Sequence, residues 1–93
     1  MKLIKLTKQE EFEELKKGDL ILVEWDDYTV KHNPAIDKKV MVYKIFEVKK
    51  PETHGYSEII CQKKGNQYFN YLRYIEGLSG ALDVRKIEVS DES

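Results

Sequence analysis

The chain has 93 residues but only one cysteine, two prolines, five glycines and two arginines. One cysteine excludes a disulfide framework, and with two histidines twenty-two residues apart it fits no zinc-ligand spacing. So few glycines and prolines exclude collagen-like and low-complexity chains. No apolar run approaches the ~18–20 residues of a membrane span, and Met1–Leu6 is too short and too charged for the apolar core of a secretory leader. A cytoplasmic protein with no membrane contact is expected. A Gly-rich phosphate loop, Gly-x-Ser-x-Gly and His-Glu-x-x-His are all missing, so no cofactor, metal or catalytic residue is implied.

What is present is enough for one folded domain, residues 1–93. Leu, Ile, Val and Phe number 26, about 28% of the chain, well above the ~20% level below which disorder is expected. Sixteen basic side chains face seventeen acidic ones, so no whole-molecule field draws the chain to a polyanion. The charge is unevenly spread. Residues 1–27 sum to −3, residues 28–64 to +4 and residues 65–93 to −2. The middle third is therefore a lysine-rich island, read either as ordinary solvated surface or as a weak contact for phosphate or an acidic partner. Scarce arginine weakens the second reading, because bidentate recognition of bases or phosphates favours arginine.

Thr7-Lys8-Gln9-Glu10 has the form of a capping box, with Thr7 as N-cap and Glu10 reaching back. Acidic residues follow at the positive helix end, Lys16 and Lys17 sit at the negative end, and Gly18 stands at the C′ position. The pattern predicts one short N-terminal α-helix over about 7–17, with Phe12 and Leu15 on one face. Lys2–Leu6 before it has the makings of a short strand.

The rest reads as strands. Leu20–Val23 is apolar on both parities, so the strand ending at Trp25 is expected inside a barrel wall or beneath a helix. Ile21, Val23 and Trp25 share one face, and Leu20 and Leu22 would meet Phe12 and Leu15. Val40–Lys49, Tyr56–Gln62, Tyr68–Ile75 and Ala81–Val89 complete five strands. In the second, Val40, Val42, Phe46 and Val48 lie on one parity and Met41, Tyr43 and Ile45 on the other. In the last, the apolar phase changes between Leu82/Val84 and Ile87/Val89, which predicts a bulge near Arg85-Lys86. Lys50–Gly55 and Lys63–Asn66 read as turns, with Gly65-Asn66 supplying a tight hairpin, and Glu76–Gly80 as a break. With no crossover segments, a mostly β fold follows: a five-stranded antiparallel meander closed into a small barrel over about 19–90, with 91–93 frayed.

Leu15-Lys16-Lys17-Gly18-Asp19-Leu20-Ile21-Leu22-Val23 resembles the entry to SH3-like small barrels, where a Gly-Asp turn feeds an apolar first strand and a long loop follows it. Here Asp26–Lys39 takes the place of that loop. The resemblance covers roughly residues 16–90 and implies a small barrel; the function has to come from its loops. Peptide-binding SH3 domains have an acidic long loop and a Trp opening the strand after it, whereas here Trp25 ends the first strand and Lys31, Lys38 and Lys39 make the loop basic. RNA-associated small barrels carry basic loops on a similar scaffold.

Asp26–Lys39 shows no sustained period, and at fourteen residues such a loop is usually functional or mobile. The candidate binding residues are Tyr28, Lys31, His32, Lys38 and Lys39 there, together with Tyr71 and Arg73 from the aromatic run Tyr68–Tyr74. In that run Tyr68 and Tyr74 share one face, and Phe69, Tyr71 and Arg73 the other. Aromatics among lysines suit a protein partner or single-stranded nucleic acid. The oligomeric state is not encoded in these patterns. Cys61, in an Ile-Ile-Cys strand, reads as a buried structural thiol. Asp26, Asp27 and Asp37 read as turn formers or, together, as ligands for a hard cation, and Asp26, Asp27 and His32 supply the competing reading of a small hydrolase or metal-dependent enzyme. The leading expectation is a non-catalytic binding module that contacts a protein partner through residues 26–39, ahead of an RNA- or single-stranded-DNA-binding barrel.

Overall fold

The computed structural model describes residues 2–34, 36, 38–50, 57–63, 69–74, 78 and 80–88. The Gly65-Asn66 turn, the 51–56 part of the turn cluster with His54 and Tyr56, Asp37, Tyr68, and residues 75–77, 79 and 89–93 lie outside them. The elements are β1 (Lys2–Lys5), α1 (Gln9–Glu13), β2 (Leu20–Trp25), α2 (Asp27–His32), β3 (Val40–Lys49), β4 (Ser57–Lys63), β5 (Phe69–Tyr74) and β6 (Ala81–Glu88). The fold is mostly β. Six antiparallel strands form one sheet in the order β1-β6-β2-β3-β4-β5.

Two features depart from the expected five-stranded barrel with one helix. Lys2–Lys5 is a full member of the sheet, pairing with β6 from Lys2↔Glu88 to Lys5↔Arg85. β6 is thus flanked by β1 and β2, and the sheet is open among the described residues, with β1 and β5 as its edges. Asp26–Lys39 is not an aperiodic loop: it holds the second helix, α2.

α1 is half the expected length and starts later. Lys8 is the N-cap, and its ammonium cannot accept a hydrogen bond, so only one half of a capping box forms. Glu11 makes it, accepting from the N–H of Lys8 (2.9 Å), the N–H of Thr7 (3.0 Å) and the Thr7 hydroxyl (3.2 Å). After the Glu14 C-cap the Leu15 N–H closes onto the Phe12 carbonyl at 3.2 Å, and the Lys16 N–H donates outside the helix, to Asp19 Oδ2 at 2.8 Å. The chain then turns over Lys16–Asp19 with Gly18 at φ 97°, a conformation costly for any residue with a Cβ. The Gly18 N–H and Asp19 carbonyl bond to Ile45, each at 2.8 Å, so the turn is stitched to β3.

β2 alternates as predicted, with Ile21, Val23 and Trp25 buried and Leu20, Leu22 and Glu24 half-buried. Phe12 and Leu15 join the Ile21–Val23–Trp25 side of the sheet in one core with Met41, Tyr43, Ile45, Ile59, Cys61 and Val84. The expected contact of the helix with Leu20 and Leu22 is therefore replaced by packing on the opposite face. Two bulges then shift the parities. In β3 the register slips between Ile45 and Glu47: Phe46 stays outward, on the side of Val40 and Val42, while half-buried Val48 crosses to the core side. In β6 the slip lies opposite Glu24/Trp25, not near Arg85-Lys86: Ala81 faces Trp25, Asp83 faces Glu24, and the extra residue Leu82 is 59% exposed.

Candidate functional site

The segment between β2 and β3 leaves the sheet and returns to it at one point, where the Trp25 N–H donates to the Lys39 carbonyl at 2.7 Å. Within it, Asp26 caps α2. Its carboxylate accepts from the Thr29 N–H at 2.7 Å, and its own N–H donates to the Gly80 carbonyl at 2.8 Å. The Thr29 hydroxyl, and then its N–H, hold the Asp26 carboxyl below its ordinary value. Trp25 and Val30 occupy the N′ and N4 positions of a hydrophobic staple, and both pack in the core. Ile36 is buried there too, and its N–H closes a turn onto the Asn33 carbonyl at 3.0 Å. The segment is pinned at both ends and in the middle.

That pinning decides which side chains face water. Tyr28 is 73% exposed, the most exposed large apolar residue among those described, and its ring lies 4.3 Å from that of His32 at 41°. The pair follows from i, i+4 spacing on a helix. Lys31, Lys38 and Lys39 are also exposed, and Lys39 reaches back to Asp27 at 3.5 Å. The structure thus gathers Tyr28, His32 and Lys31 on α2 and brings Lys39 to its start, with Lys38 adjacent in the chain.

The segment is not basic as a whole. Asp26, Asp27 and Asp37 match Lys31, Lys38 and Lys39 one for one. Tyr71 and Arg73 sit elsewhere, on edge strand β5 opposite Ile60 and Glu58 in register, and their side chains lie outside the described set. Sequence reasoning missed Gly80. At φ 84° it packs so closely under α2 that a Cβ there would land on the Thr29 hydroxyl. It also missed the signal that would have revealed α2, an Asp N-cap between Trp25 and Val30 at staple spacing.

Catalytic chemistry finds little to work with among the described residues. Asp26 is spent on the cap and Asp27 faces Lys39, and no group of three or more His, Cys, Asp or Glu side chains is placed to hold a metal ion. Burial pushes the Cys61 thiol up to about 12, so it is not a thiolate near neutral pH. No described helix is long and apolar enough to cross a membrane. Compared with protein-family models, curated proteins and solved structures, the chain matches none of them.

Proposed function

We propose that the chain is a non-catalytic binding module on an SH3-like scaffold, and that it engages a protein partner through α2 and the residues that return from it to β3. The observation that carries this reading is Tyr28: a large aromatic held out in water, against His32, on a helix whose other side is stapled into the core. A pre-ordered exposed tyrosine loses little entropy on binding and suits an interface anchor. The balanced charge of residues 26–39 favours a protein surface over a polyanion.

Chain length supports a curled sheet. Tyr74 and Ala81 are seven residues apart, a span of at most about 25 Å. In a flat sheet β5 and β6 would lie four strand spacings apart, about 19 Å, and at opposite ends of ten-residue β3, about 33 Å along it. The connection cannot cross that flat diagonal, which supports a sheet that curls β5 towards β6. The stretch of β6 that β1 leaves bare, Ala81–Asp83, is where β5 would close the wall.

A photo-crosslinking benzoylphenylalanine placed at position 28 tests the reading in living cells. A discrete protein adduct from position 28, and none from the same group at exposed Glu47, is expected. Adducts that are identical from both positions, or absent from both, overturn it. Steep salt-dependent binding of an oligothymidylate by the purified chain, lost on Lys31, Lys38 and Lys39→Gln, would move the partner to nucleic acid.

A further inference from the structure

We propose that the open edge of β1 accepts an extended peptide as an added strand, and that this peptide places a lysine or arginine in the groove between β1 and α1. β1 pairs only with β6, so the backbone groups of Lys2–Lys5 that point away from β6 have no strand partner among the described residues. One strand in from this edge, over the β1–β6 pair and beside α1, lies a cleft of about 190 Å³. Its floor is apolar, made by Ile4, Leu6 and Leu15, and its rim carries three carboxylates, Glu11, Glu14 and Glu88, against one cation, Lys86.

The carboxylates are not equivalent. Glu11 is committed to Thr7 and Lys8. Glu88 shares Lys86 with Asp19, at 3.9 and 3.7 Å. Glu14 has no ion pair among the described residues, and it lies with Glu13 at the C-terminal end of α1, whose last turn holds no basic residue; Lys16, Lys50 and Lys86 line the adjoining cleft without pairing with it. An aliphatic floor beneath a carboxylate rim matches a side chain with an apolar stem and a cationic head. A purely aliphatic strand would leave the rim unmatched, and an acidic one would be repelled.

The test uses the full ¹⁵N-labelled chain and two blocked hexapeptides, Thr-Val-Lys-Val-Lys-Val and Thr-Val-Glu-Val-Glu-Val. The lysine peptide should shift the amides of residues 2–6 saturably and slow their hydrogen exchange, with the glutamate peptide at least about tenfold weaker. Replacing Glu14→Gln together with Glu88→Gln should weaken the lysine peptide by about tenfold while leaving the melting temperature in place. Lys31, Lys38 and Lys39→Gln should leave this binding unchanged, which separates the groove from the α2 surface. Equal affinity for both peptides, or shifts that avoid β1, overturns the proposal. Concentration-dependent shifts at β1 without any peptide would replace it with self-association.

Discussion

The two helices are nearly the same length, and each is started by a carboxylate that accepts from backbone N–H groups, yet they do opposite things. α1 drives Phe12 into the core and stands over the sheet. α2 buries no residue completely: its apolar contribution is half-buried Val30, and the face carrying Tyr28, Lys31 and His32 stays in water. Helix formation is therefore explained by the core in one case only. For α2, the staple, the cap and the Gly80 contact hold the helix, and the exposed face is free to vary with whatever it meets.

Removing each helix's large aromatic should separate these roles most sharply. Phe12→Ala is expected to cost about 3–5 kcal/mol, the range for a large buried aromatic. Tyr28→Ala should stay within about 0.5 kcal/mol in the same denaturant titration, while abolishing capture of any partner crosslinked at position 28. Comparable losses of stability would erase the distinction.

The glycines give the next test. Both described left-handed glycines resist a side chain, but Gly18 opens on empty space and Gly80 presses on Thr29. Gly18→Ala should cost about 1 kcal/mol from backbone strain. Gly80→Ala should cost more, about 2 kcal/mol or above, by displacing α2 as well. Adding Thr29→Ala should recover part of the Gly80→Ala loss and none of the Gly18→Ala loss.

Acid supplies the smallest effect. The Thr7 N–H, followed by that of Lys8, holds the Glu11 carboxyl below its ordinary 4.5. Asp26 is held below its ordinary 3.8 by Thr29. Folding lowers both values, so each group's stabilisation is complete above its unfolded value and drains away as pH falls through the folded one. Melting temperatures should begin to drop below about pH 4.5 through Glu11 and below about pH 3.8 through Asp26. Glu11→Gln and Asp26→Asn should each flatten their own part of that acid limb. Asparagine keeps the α2 cap without titrating.

Much of the framework was legible in local pattern. The Ile21, Val23, Trp25 alternation, the Met41, Tyr43, Ile45 side of β3 and the Gly18-Asp19 turn all stand as expected. The departures have identifiable causes. Val48 and Leu82 leave their expected sides at bulges, and a bulge depends on the neighbouring strand as much as on its own. α1 is shorter than its charge pattern predicts: beyond Glu14 the Leu15 and Lys16 N–H groups bond to Phe12 and Asp19 in place of continuing the helix. The candidate surface was partly legible too: Tyr28, Lys31, His32 and Lys39 do come together, whereas Tyr71 and Arg73 belong to a different strand at the sheet edge.

The order of apolar and polar residues was enough to dictate a mostly β chain with a short leading helix, because period-2 burial and turn chemistry act within a few residues. Which face of β2 receives that helix, that Lys2–Lys5 takes one flank of β6, and that Tyr28 points to water were decided only by folding. Each depends on groups distant in sequence competing for the same backbone partners and the same apolar surface.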